Sequence, residues 1–263
     1  MAKLYHYTKI DTLQAIVENK TIKFNRLDGV DDKEEFEFGS GPSDIKVSKY
    51  IFISSWTKES EEIPDLWEKY GDNYRGIRIA MDEPFLESMQ LPSFPKYHFF
   101  SPDLSKYKDC FLPSLFNEAK LHEIQYVINN KERIKDLINN EEDLVKIKLK
   151  ELGIYKNKEI WGKQKESRYR NVILPSPRNT YTSYIIANNM LNEVEEVIKL
   201  IFKDKIYVEP KEVYVPIKEK ALKKMEVTMG KETTEDDKAK VKKLLRIQSG
   251  FFHKRRIFDS MLK

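Results

Sequence analysis

The run Tyr50-Ile51-Phe52-Ile53-Ser54 restricts the folds open to this chain more than any other stretch. So many apolar, β-branched and aromatic residues in so short a span describe a buried strand. A buried strand needs partners for its backbone groups, so other strands must flank it. Candidates lie close by. Leu4, His6 and Thr8 alternate with Tyr5 and Tyr7, as the two faces of a strand do. Thr8 then stands three residues before Asp11 in the manner of a capping box, ahead of a helical stripe of Ile10, Leu13, Ile16 and Val17. Asn19-Lys20 ends that helix, and Thr21-Ile22-Lys23-Phe24 returns as a strand. Gly76-Ile77-Arg78-Ile79-Ala80 supplies another, after a short helix with Pro64 at its start.

The remainder is more broken. Residues 28–37 read as an acid-rich loop. Residues 84–121, interrupted by Pro92, Pro95, Pro102 and Pro113, read as an irregular insertion. Apolar spacing predicts a helix or a pair of helices over 131–152, with Gly153 as the stop, and a helix over 182–203. Strands are expected at 123–128, 169–174, 206–208 and 212–215. Residues 158–168 suit a helix, or a helix running into a strand. Thr233 or Thr234 caps a last helix with Glu235, Asp236 and Asp237 in its first turn. The expectation is an α+β fold with a single mixed or mainly antiparallel sheet flanked by helices. Residues 1–215 would form the core domain and 216–263 a basic helical C-terminal segment.

With 263 residues, 40% of them hydrophobic, the chain has material for a sizeable core. Its one cysteine, Cys110, excludes an internal disulfide framework and suits a reducing compartment. Residues 1–8 lack a signal-peptide pattern, and no apolar run approaches the ~18 residues of a membrane span, so a cytoplasmic protein without membrane association is expected. His6, His98, His122 and His253 are dispersed, which argues against a metal site. Neither a phosphate-binding glycine loop nor a Gly-x-Ser-x-Gly elbow occurs. The net charge is +4, yet residues 238–263 alone carry nine basic side chains and one acid, Asp259. Lys242, Lys243, Arg246, Lys254, Arg255 and Arg256 there suit either a solvated helix face or contacts to a phosphate backbone.

What stands out is an ordered series. Leu4-Tyr5-His6-Tyr7-Thr8 leads to Phe52-Ile53-Ser54-Ser55-Trp56-Thr57, then Trp67-x-x-Tyr70 and Gly76-Ile77-Arg78-Ile79. Lys158-x-x-Trp161-x-x-Gln164-x-Glu166-x-Arg168 closes it. Over residues 3–174 this series resembles the bacterial domain-of-unknown-function family 2971. In this chain Gln164 stands where that family usually has Glu, and the serine strand lacks a cysteine. The series is also similar, more distantly, to ADP-ribosyltransferases in the order of its motifs. That second resemblance implies NAD as substrate and no metal. It gives His6 to the ribose, Glu166 to the oxocarbenium-like transition state and Gln164 to orienting it. Trp67, Tyr70 or Tyr7 would stack on nicotinamide, and Ser54, Thr57, Thr8 and Arg168 would support the bound nucleotide. The function implied is an NAD-consuming transferase or glycohydrolase acting on a protein or nucleic-acid acceptor, in the setting of a bacterial toxin or antiphage effector. The alternatives are a non-catalytic nucleic-acid-binding or adaptor protein using the basic C-terminal face, and an interaction module. For each residue a structural role competes: His6 as a core histidine, Trp67 and Tyr70 as packing, Glu166 and Arg168 as an ion pair.

Overall fold

Strand β3 (Ile51–Thr57) is the buried strand announced by the sequence, with Ile51, Phe52 and Ile53 almost wholly removed from solvent. The computed structural model describes residues 2–35, 46–91, 94–107, 110–113, 117–135, 138–141, 144–147, 151–175, 201, 205–249 and 257–262. Around β3 are arranged β1 (Lys3–Thr8), β2 (Thr21–Arg26), β4 (Ile77–Asp82), β5 (His122–Glu123) and β6 (Glu166–Val172). Three later strands complete a nine-stranded sheet: β7 (Glu212–Pro216), β8 (Glu226–Met229) and β9 (Ile257–Asp259). The order is β7-β2-β3-β1-β4-β8-β9, with β6 on β3 and β5 on β6. All these pairs are antiparallel except β8 with β9, so the sheet is mixed and mostly antiparallel, and the fold is α+β.

One edge of β3 is filled from end to end by β6, from Glu166 opposite Thr57 to Val172 opposite Ile51. Two strands share the other. β2 pairs with it at Phe52 and Ile53, and β1 only at Thr57. Between those contacts β1 and β2 diverge, and Ser54, Ser55 and Trp56 have strand partners on the β6 side alone. The sheet therefore forks beside β3. β1 continues instead along β4 for six residues.

Helix α1 (Ile10–Asn19) buries Ile10, Leu13, Ile16 and Val17, the stripe expected from its spacing. Its N-cap is Lys9 and no side chain caps it, because Thr8 remains the last residue of β1. Helix α2 (Pro64–Lys69) starts with its proline as expected. The chain then turns through Asp72, Asn73 and Tyr74, all at positive φ, into β4.

Several expectations are corrected. The insertion at 84–121 contains a hairpin of Ser88–Leu91 with Phe94–Phe100, in which Pro95 falls within a register irregularity and faces no cross-strand partner. Among the described residues of 131–152 only α3 (Asn130–Lys135) is helical, and Ile138–Glu141 pairs with Leu144–Ile147 as a hairpin, ahead of a short helix α4 (Lys158–Trp161). Alternation of Lys146 and Lys148 with Val145, Ile147 and Leu149 has period two, which the helical count overlooked. Residues 206–208 form no strand, although Val208 is buried. The segment 216–263 is not a separate helical piece. Besides α5 (Glu219–Lys224) and α6 (Glu235–Ser249) it supplies β8 and β9 to the main sheet, with Val227 and Met229 buried as alternating core residues. The helix expected over 182–203 falls outside the described residues apart from Ile201.

Gly230, just after β8, lies so close to the turn before β4 that an added Cβ would stand 2.0 Å from the Tyr74 carbonyl oxygen and 3.1 Å from the Trp67 ring. Neither neighbour has room to retreat, since Trp67 is fully buried. Gly230→Ala is expected to lower unfolding stability by about 1–3 kcal/mol. Urea titration would register this as a lower midpoint at an unchanged m-value.

Candidate functional site

The fork beside β3 opens into a pocket of about 230 Å³. Strands β1, β2, β3 and β6, helix α2 and the 29–32 segment all contribute to its wall. His6 stands at the split. Its Nδ1 lies 2.8 Å from the Ser55 carbonyl oxygen, in the stretch where β3 has no strand on this edge. A carbonyl only accepts, so Nδ1 carries the proton and Nε2 presents a lone pair. Burial lowers the pKa of His6, with the Ser55 bond working the other way. The ring therefore remains neutral at neutral pH, packed 5.0 Å from the Trp56 ring.

Across the pocket, β6 carries Glu166 and Arg168 on one face, two residues apart. Arg168 is among the most deeply buried side chains in the protein. Its Nε donates to Glu166 at 2.5 Å, its Nη2 to Glu35 at 2.8 Å, and its Nη1 to Glu35 and to the Gly153 carbonyl, the latter at 2.9 Å. Gly153 has φ +77°, a conformation that glycine adopts without strain. Lys156 completes the group, 2.6 Å from Glu166 and 3.9 Å from Glu35. Two cations and two carboxylates thus neutralise one another where solvent is excluded. Burial works against the Glu166 carboxylate, but Arg168 and Lys156 together outweigh it and hold its pKa at about 2. Burial likewise opposes charge on Arg168, and its two carboxylates reverse the effect.

Two polar groups in the wall lack such partners. Asp32 is 4% exposed; its Oδ1 accepts from the Glu34 backbone N–H at 3.0 Å, while Oδ2 is buried without a hydrogen bond. Burial, reinforced by the charge of Glu35, raises its pKa to about 6. Gln164 Oε1 receives a long bond from Lys156, 3.4 Å, and its buried Nε2 stands near the Tyr70 hydroxyl without a well-formed hydrogen bond. Burial and Asp31 raise the pKa of Tyr70, so its phenol stays protonated.

Of the residues singled out from the sequence, the pocket gathers His6, Tyr7, Ser54, Tyr70, Gln164, Glu166 and Arg168. It does not gather Thr8, Thr57 or Trp67. Thr57 is buried, donating to the Lys165 carbonyl at 2.9 Å. Trp67 is fully buried in a satellite cluster with Tyr7 and Leu66, and its indole N–H goes to Glu62 at 2.8 Å. Gln164 and Glu166 are not neighbours on one strand face. Gln164 ends a 3-10 turn, Lys165 at φ 46° reverses the chain, and β6 begins at Glu166. Lys242 and Lys243 are exposed on α6 and Arg246 lies on the same helix, capped by Thr234 as expected. Lys254, Arg255 and Arg256 lie outside the described residues. The residues missed are Asp32, Glu35 and Lys156. The acid run at 28–37 was visible, but nothing local shows that its Glu35 would meet an arginine so far along the chain. Comparison with known proteins found no matching family model, curated protein or solved structure.

The buried group dictates two outcomes. Arg168→Met leaves Glu35 and Glu166 with Lys156 alone and is expected to destabilise the protein by about 3–5 kcal/mol. Asp32 has the opposite sign. Its folded-state pKa lies above the unfolded value, so its ionisation works against folding above pH ~6 and has no effect below ~4. Asp32→Asn is therefore expected to stabilise the protein at pH 8 by about 1 kcal/mol, after allowance for screening through the pocket mouth. The gain should vanish near pH 4, as thermal unfolding at the two pH values would show.

Proposed function

We propose that this pocket holds the nicotinamide-ribose half of NAD and breaks its N-glycosidic bond. The ADP-ribose would pass to water or to a protein or nucleic-acid acceptor. The observation that carries this reading is convergence: His6, Tyr70, Gln164 and Glu166 come from separate elements and line one pocket. Its volume lies just below the ~300–1,000 Å³ of sites for drug-sized ligands, in keeping with half of a dinucleotide inside and the rest at the mouth.

Each side chain then has a physical task. Bond breaking leaves positive charge on the ribose, and a fixed carboxylate facing it lowers the barrier. Glu166 suits this because its pKa of about 2 keeps it charged at any physiological pH. Its oxygens are already hydrogen-bonded to Arg168 and Lys156, so it would accept a ribose hydroxyl on a remaining lone pair rather than take up a proton. The neutral imidazole of His6 offers Nε2 to a ribose hydroxyl. Tyr70 supplies a ring for the nicotinamide face, whose cationic form is drawn to a π surface. Gln164 Nε2 offers a donor to a carbonyl.

Nicotinamide release by the purified protein, with and without nucleic acid, tests the reading. The wild type is expected to turn NAD over, Glu166→Gln to lose at least about a hundredfold in kcat, and Tyr70→Ala to bind NAD about tenfold more weakly. Circular dichroism of each variant separates loss of chemistry from loss of fold. Absence of both NAD binding and nicotinamide release in the wild type would sink the proposal and turn attention to the exposed lysines of α6.

A further inference from the structure

Asp32 has no part in the reading above, yet it is the one carboxylate in the described pocket wall that is nine-tenths buried and left with an unbonded oxygen. The contrast with its neighbours is specific. Arg168 is spent on Glu35, Glu166 and the Gly153 carbonyl, and Lys156 makes its shortest contact with Glu166. Neither cation makes an ion pair with Asp32. The Glu34 N–H bond to Oδ1 fixes the carboxyl group in the pocket wall and leaves Oδ2 without a donor. A buried acceptor without a donor is costly unless a ligand or water completes it.

We propose that Asp32 is the general base of this pocket, taking the proton of the incoming nucleophile on Oδ2. The assignment rests on the NAD-cleavage reading of the site. As the bond from ribose C1′ to the nicotinamide nitrogen breaks, its electron pair leaves with nicotinamide, which departs neutral. Oxygen of water or of an acceptor hydroxyl forms the new bond to C1′. The proton it sheds goes to Asp32 and then to solvent, so the sum is NAD⁺ plus water giving ADP-ribose, nicotinamide and a proton. Glu166 cannot serve in this way, because a carboxylate held at about 2 is too weak a base. Burial and Glu35 push Asp32 to about 6, against the Glu34 N–H and Lys156, close to the value that suits a base at neutral pH. Two carboxylates in one pocket with pKa values pushed apart is the pattern that assigns separate roles. The charged and titratable groups around Asp32 are Glu34, Glu35 and Lys156, with Lys23, Asp31, Tyr70, His6, Glu166 and Arg168 elsewhere in the wall.

The experiment is nicotinamide release from NAD as a function of pH, by wild type, Asp32→Asn and Asp32→Ala, with thermal melts and NAD affinity measured on each. The wild-type rate is expected to fall as pH drops through about 6. Both variants should bind NAD within about threefold of wild type, lose at least about a hundredfold in rate and lose that pH limb. Added formate should restore part of the activity of Asp32→Ala by supplying a carboxylate in the vacated space. Wild-type turnover matched by both variants, with the same pH limb, would overturn the base and leave the NAD reading standing. So would a lost rate that formate does not rescue together with an unaltered pH limb in the residual activity, which marks a supporting residue. A wild type that neither binds nor cleaves NAD would overturn the reading and this role together.

Discussion

The guanidinium of Arg168 is the point on which the site depends. Its nitrogens reach Glu166 on its own strand, Glu35 in the acidic segment and the carbonyl of Gly153. Three stretches with no local reason to associate are thereby held to one another. Such a group contributes little net energy compared with a well-packed apolar substitute, since desolvation offsets most of the attraction. Its contribution is to geometry. With both carboxylates matched to cations in only one arrangement, an alternative placement of the 31–35 segment would strand a buried charge.

The fork beside β3 supplies the space. A strand whose edge is divided between two partners leaves backbone groups between them without a ladder, and side chains or ligands must complete them. Here His6 takes the Ser55 carbonyl, and the same choice sets its tautomer. The topology of a sheet thus reaches the proton inventory of a pocket through one backbone oxygen. The charged side chains then divide in two: those neutralised by one another, and Asp32, whose second oxygen is left over.

What the sequence disclosed follows from how local each cause is. The stripe Ile10, Leu13, Ile16 and Val17, the apolar run at β3 and the cap at Thr234 are set by neighbours in the chain, and all appear as expected. The strand alternation set His6 apart from Tyr7, yet both line the pocket. Trp67 and Tyr70 share a helical face in sequence, yet one is sealed in packing and the other lines the pocket, because Glu62 and Tyr7 take the indole. Glu35 and Lys156 looked like two more charges in a chain rich in them. Only the pairing of β3 with β6 gives them their partners, and no spacing rule reports a contact between residues 35 and 168. Val227 and Met229 were submerged in a basic segment whose lysines dominated the count.

The sheet order also has a consequence for how the chain reaches its native state. β2 and β4 are each covered on their outer edges by strands from late in the chain, β7 and β8. While residues 212–229 are still being synthesised, the amides of both earlier strands are open to any extended partner. Contacts of such sequence separation form slowly, since a long loop must close before they are rewarded. A nascent chain of this kind offers sticky edges for most of its time on the ribosome, and chaperone occupancy is the expected remedy. The same order delays assembly of the complete sheet around the pocket until translation of those residues has finished.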